Sequence, residues 1–121
     1  MLNAYGLPSN PSLQNVLILD QIDEDALEDL KRKFNVISIT NPIQRDLDPI
    51  IETIDIIILR SSKLDRSILE KAKRLKIIAR AGAGTDNIDV LRARELGINV
   101  FNIPSESSRS VAELCFGLLH L

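Results

Sequence analysis

Two arginines stand directly behind short apolar runs: Arg60 after Ile-Ile-Ile-Leu at 56–59 and Arg80 after Ile-Ile-Ala at 77–79. Runs of this length read as buried strands. On neighbouring parallel strands, about 5 Å apart, the two side chains would leave one edge of a sheet together. Guanidiniums brought together repel unless an anion joins them, and their planar fork suits carboxylate or phosphate oxygens. The competing arrangement is local, with Asp65 or Asp86 as the paired acid. Behind Arg80 comes Ala-Gly-Ala-Gly84, where two glycines around a small residue let the backbone turn sharply. Such a turn can present the N–H groups of Gly82, Ala83 and Gly84 to a carboxylate. Glycines here also simply permit a tight strand-to-helix connection. Asn87 occupies the place of the third glycine in a G-x-G-x-x-G dinucleotide loop, so the segment is not read as a pyrophosphate cradle.

The elements that must position these residues follow from hydrophobic periodicity. Apolar or β-branched runs at 16–19, 36–39, 56–59, 77–79 and 99–101 predict five parallel strands. Between them, 24–34 places Leu27, Leu30 and Phe34 on one helical face, 66–75 does so with Leu69, Ala72 and Leu75, and 89–96 repeats the pattern. Asp23, Asp65 and Asp89 are suited to accept the orphan N–H groups at the helix starts. Gly97 is a helix stop. Over 41–53, Pro42 and Pro49 leave room only for a short helix at 49–53. Alternating βα units of this size predict an α/β, flavodoxin-like doubly wound sheet in the order 2-1-3-4-5. Ligands of such sheets lie beyond the carboxyl ends of the strands, which singles out Asp20, Thr40, Arg60, Arg80 and Asn102.

Whole-chain properties narrow the classes of function. With 121 residues, 45% of them hydrophobic, the chain can bury one ordinary core. A formal charge of -2, with both signs interleaved, disfavours nucleic acid and anionic membrane surfaces. Cys115 is the sole cysteine, so it can build neither an internal disulfide nor a thiolate cluster, and its apolar neighbours read as a buried thiol in a reducing, cytoplasmic setting. No apolar stretch approaches the roughly 20 residues that span a bilayer. The acids at 23–29 read as the solvated face of the first helix. Residues 1–13, rich in Asn, Pro and Ser, read as a loose arm rather than a secretory signal, and 14–106 as the folded domain. Residues 107–121 open on Ser110-Val-Ala-Glu113, which matches a capping box, and stay apolar to the last residue. A helix ending in mid-stripe is expected to continue into a following domain.

The motifs, taken together, carry a resemblance. Arg80-Ala-Gly-Ala-Gly-Thr-Asp-Asn-Ile-Asp89, Gly97-Ile-Asn-Val-Phe-Asn-Ile-Pro104 and Ser110-Val-Ala-Glu113 occur in the order found in the D-isomer-specific 2-hydroxyacid dehydrogenases. Leu59-Arg-Ser-Ser-Lys63 resembles the phosphoglycerate dehydrogenase branch of that family, and the similarity runs from Val16 to the end. The resemblance implies the substrate-side half of an NAD-dependent oxidoreductase, with NADP as the alternative cofactor, in a cytoplasmic homodimer. Its substrate would be a small phosphorylated 2-hydroxy acid. By the same resemblance Gly82, Ala83 and Gly84 hold the substrate carboxylate, Arg60 and Arg80 attract the phosphate, Ala83 and Val111 lie near the nicotinamide, and Ser107 replaces a substrate-contacting Asn. The turn at Arg60-Ser-Ser-Lys63 is one residue shorter than the form usual in the branch. The family's catalytic Arg, Glu and His belong to the nucleotide-binding domain that follows 107–121 as its crossover helix. His120, the sole histidine, stands in no catalytic motif, so these 121 residues alone are expected to be inactive.

Other readings remain. Glyoxylate or hydroxypyruvate reductases and other D-2-hydroxyacid dehydrogenases share the glycine loop. Outside the enzymes, Val16-Leu-Ile-Leu-Asp20 resembles the first strand of a phospho-receiver, a stand-alone signalling module. A receiver requires an acceptor Asp after its third strand and a Lys after its fifth, where this chain has Arg60 and Asn102-Ile-Pro.

Overall fold

In the computed structural model, which describes residues 12–21, 24–39, 47–81 and 87–103, five strands alternate with helices along the chain. They are β1 (Asn15–Ile18), α1 (Glu24–Lys33), β2 (Asn35–Ser38), β3 (Ile56–Leu59), α2 (Arg66–Lys71), β4 (Ile77–Ala81), α3 (Val90–Glu95) and β5 (Asn99–Ile103). A single 3₁₀ turn, Ile51–Thr53, stands where the short helix at 49–53 is expected. All strand pairs are parallel, in the order β2-β1-β3-β4-β5, as the periodicity predicts.

The sheet is the core because its strands are apolar on both sides. On one face Leu17, Leu19, Ile57, Leu59 and Ile78 pack with Ile68 and Leu69 of α2, Ala93 of α3 and the 3₁₀ segment. On the other, Val16, Ile18, Ile56, Ile58, Ile77 and Ala79 pack with Leu30 and Phe34. Burying one such side chain contributes about 1.5–3 kcal/mol, so the four fully buried residues of β3 lock that strand at the centre.

Helix ends follow their local chemistry. The Asp65 carboxylate accepts the Ile68 N–H at 3.0 Å, and Asp89 accepts that of Arg92 at 3.0 Å. Gly97, with φ +80, closes α3: its N–H donates to Arg94 O at 3.0 Å, and the Ile98 N–H to Ala93 O at 2.9 Å. That pair of bonds is a Schellman motif.

Two expectations need correction. Helix α2 ends at Lys71, with Ala72 as its cap, rather than running to 75. Leu75 is buried all the same, and the turn before it lets Arg74 reach Asp55. Strands β4 and β5 extend past 79 and 101, so Arg80 and Asn102 lie inside strands and pair with each other, not beyond the strand ends. The arm at 1–13, save Ser12 and Leu13, the crossover helix at 107–121, Asp23 and Thr40 lie outside the described residues. Among the described residues no helix is long and apolar enough to cross a membrane.

Candidate functional site

The carboxyl edge of the sheet is organised by a residue that sequence reasoning placed there without giving it a role. Asp20 follows β1, and its carboxylate accepts three successive N–H groups behind β3. Its Oδ2 takes Arg60 N at 2.6 Å, Ser61 N at 3.1 Å and Ser62 N at 3.1 Å. The Ser62 hydroxyl lies 3.1 Å from both Asp20 Oδ1 and the Leu19 carbonyl, and the Ser61 hydroxyl 3.4 Å from Oδ1. Such a cluster of N–H groups around one carboxylate is a charge-assisted anion nest turned inward on the protein. Burial raises the proton affinity of the Asp20 carboxyl, and the hydrogen bonds from Arg60, Ser62 and Ser61 together outweigh it, holding the group below its ordinary value. The Arg60 turn therefore has a fixed path. In this turn Ser61 and Ser62 both reach Asp20.

The second tie comes from Asn87. Its Nδ2 donates to Arg60 O at 3.2 Å and Ser62 O at 2.7 Å, while its Oδ1 accepts from Arg80 Nε at 2.8 Å. The backbone holds Asn87 in place: Leu64 N donates to Asn87 O at 2.8 Å, Asp89 N to Leu64 O at 3.1 Å, and Leu64 and Ile88 form a parallel bridge. Sequence reasoning noted Asn87 only as a missing glycine. The one signal available was its place just ahead of the Asp89 cap.

Arg60 and Arg80 do stand at one edge of neighbouring strands, as their spacing predicts, but with an offset. Arg80 pairs with Leu59, so it shares the sheet face of Leu59, and Arg60 stands one residue further out on the bend. Arg60 is exposed and Arg80 half-buried. Asp65, proposed as a local acid partner, is occupied as the cap of α2 and by the Ser67 hydroxyl at 2.8 Å. Asp86, Gly82, Ala83, Gly84, Ser107 and Val111 lie outside the described residues, as do Cys115 and His120. What the described residues build is a hydrogen-bonded strand edge carrying two arginines, one on a turn pinned from both sides, the other anchored through its Nε.

Residues 16–117 match the family model for the D-isomer specific 2-hydroxyacid dehydrogenase catalytic domain. The chain belongs to the D-isomer specific 2-hydroxyacid dehydrogenases. It is 44% identical over 105 residues to D-3-phosphoglycerate dehydrogenase of Methanocaldococcus jannaschii, covering 86% of this chain and 20% of that protein. It is 43% identical over 106 residues to hydroxypyruvate reductase of Thermotoga maritima, covering 86% of this chain and 35% of the reductase. The crystal structure of NAD+-bound 3-phosphoglycerate dehydrogenase from Entamoeba histolytica superposes with a TM-score of 0.69 at 31% identity, over 89% of this chain and 38% of that one. The chain thus spans between 20% and 35% of the length of these two curated relatives. Within the 2-hydroxyacid dehydrogenase fold, the edge carrying Arg60, Arg80 and Asn87 is the carboxyl edge, where open α/β sheets bind their ligands.

Proposed function

We propose that the chain is the substrate-side domain of an NAD-dependent D-3-phosphoglycerate dehydrogenase, with Arg60 and Arg80 binding the phosphate of the substrate. The observation that carries the reading is the paired arginine edge, in which Asp20 and Asn87 hold the backbone turn that bears Arg60, and Asn87 holds the Arg80 guanidinium through its Nε. A guanidinium already held, as that of Arg80 is, loses less side-chain freedom on binding, and a phosphate dianion is the anion that draws most from two cations. Gly82, Ala83 and Gly84 are assigned to the substrate carboxylate, with Ser107 beside it, and Ala83 and Val111 to the cofactor side.

A bound nicotinamide would supply the hydride acceptor for C2 of the hydroxy acid. The residues of this chain hold the substrate by its two anionic ends and so orient C2; the proton of the C2 hydroxyl goes to a base outside these 121 residues. The natural protein is proposed to be a cytoplasmic homodimer. A second reading, reduction of hydroxypyruvate, is favoured by the Thermotoga maritima relative at 43% identity.

The experiment is NAD reduction by the full-length protein with D-3-phosphoglycerate, beside D-glycerate and D-lactate, with these 121 residues alone as a control. Turnover of D-3-phosphoglycerate by the full-length protein only is the expected result. Turnover confined to unphosphorylated acids would replace the phosphate assignment with the reductase reading, and no turnover of any hydroxy acid would remove both.

A further inference from the structure

Arg80 does not reach its edge of the sheet unaided. Its Nε–H is given to Asn87 Oδ1 at 2.8 Å, and the same amide holds the carbonyls of Arg60 and Ser62 through its Nδ2 at 3.2 and 2.7 Å. Asn87 is half-buried and its own backbone carbonyl is tied to Leu64, so the amide has a firm footing from which to act.

The chemistry of that arrangement is specific. A guanidinium can offer an anion either the edge made by Nε and one terminal nitrogen or the edge made by its two terminal nitrogens. With Nε given to Asn87, the Nε edge is engaged and the plane of the guanidinium is held. An amide oxygen is suited to this task because it accepts the Nε–H without adding a negative charge, where an aspartate would compete with the substrate for the same cation. The Nδ2 donors complete the device: the distance between the Arg60 turn and the Arg80 side chain is fixed by one planar group.

We propose that Asn87 is a positioning residue for substrate binding, holding the Arg80 guanidinium through its Nε and setting its spacing from the Arg60 turn. The assignment rests on the reading of Arg80 as a substrate-binding residue. It is separate from catalysis: Asn87 acts on the substrate through Arg80.

The test is a double-mutant cycle in the full-length protein, measuring kcat and KM for D-3-phosphoglycerate with Arg80→Ala, Asn87→Ala and the two combined. Arg80→Ala raises KM, and Asn87→Ala raises it about 10-fold while kcat falls less; the combined variant is no worse than Arg80→Ala alone within about 2-fold. Multiplying effects in the combined variant would show that Asn87 acts on stability or elsewhere, and would overturn the inference. Arg80→Lys is the second probe, because it leaves the Asn87 ties to the Arg60 turn in place, keeps the charge and removes the Nε–H fork. It raises KM about 10-fold even where Asn87→Ala fails to fold; a KM within about 2-fold of the natural protein would overturn the inference. If Arg80→Ala itself leaves KM unmoved, or the full-length protein turns over no 2-hydroxy acid, the functional reading falls and takes the inference with it. If Arg80→Ala raises KM and Asn87→Ala does not, the inference alone falls.

Discussion

At the amino edge of the sheet Asp55, 2% exposed, accepts the Asn15 N–H at 2.8 Å and pairs with the Arg74 guanidinium at 3.2 Å. At the carboxyl edge Asp20, 9% exposed, is met by three backbone N–H groups and two serine hydroxyls. Both acids are buried, and burial of a carboxylate is tolerated only when its oxygens are engaged. One edge engages its acid with a cation, while the other engages it with neutral donors. The first arrangement uses a positive charge to close a structural seam. The second holds a turn in shape with backbone N–H groups and hydroxyls. The amino edge is finished in the same spirit, with Asn35 Nδ2 donating to Asn15 Oδ1 at 2.9 Å and Asn15 Nδ2 to Thr53 O at 2.7 Å, which pins the β1–β2 register. Both edges contribute to stability, and on the proposed function only the carboxyl edge also binds substrate.

Substitutions at the two edges are expected to separate these roles. The largest effect belongs to Asp20→Ala, which leaves several N–H donors without their acceptor and is expected to lower stability by about 3 kcal/mol. In the full-length protein it is also expected to raise KM for D-3-phosphoglycerate, because the Arg60 turn relaxes. Denaturant unfolding and steady-state kinetics read the two consequences, and a stability loss with an unmoved KM would break the link between the turn and the site.

Next comes Arg60→Ala, expected to raise KM by about 30-fold with a smaller change in kcat, as for loss of a charge-assisted bond of about 2 kcal/mol. Asp55→Ala, at the opposite edge, is expected to cost about 1–2 kcal/mol of stability, since Arg74 is largely solvated, with KM unmoved. A KM that rose as much as for Asp20→Ala would erase the distinction between the edges. Gly97→Ala is expected to cost about 1 kcal/mol from backbone strain alone, because φ is +80 and an added Cβ meets nothing within 4 Å.

The pH dependence sharpens the same contrast. The folded-state value of Asp20 lies below its unfolded value, so its contribution to stability is fully present above about pH 4 and is lost as the pH falls through the folded value. The difference in melting temperature between the natural protein and Asp20→Asn is therefore expected to be constant near neutrality and to shrink below about pH 4. A difference that persisted unchanged into strong acid would show that shape, not charge, holds the turn.

The fold was legible in the chain because its determinants are local. Runs such as Ile-Ile-Ile-Leu at 56–59 have one stable use, Asp65 and Asp89 cap the helices that begin beside them, and Gly97 takes the φ that other residues resist. Arg60 and Arg80 were found the same way, each from the strand in front of it. Their one-residue offset was not, because strand length past 79 depends on the partner β5 rather than on the sequence of β4 itself.

The residues that hold this edge in shape were hidden for a related reason. Asp20 lies 40 residues from Arg60, and Asn87 lies 27 residues from Arg60, so no periodicity or spacing joins them. Each has a respectable local reading, one as a strand end and the other as part of a turn. The sequence by itself determined the elements, their order and the two cations. Only the tertiary structure decided what holds the Arg60 turn and the Arg80 guanidinium, because a carboxylate or an amide selects its partners by distance and direction, and both arise when the parallel strands have assembled.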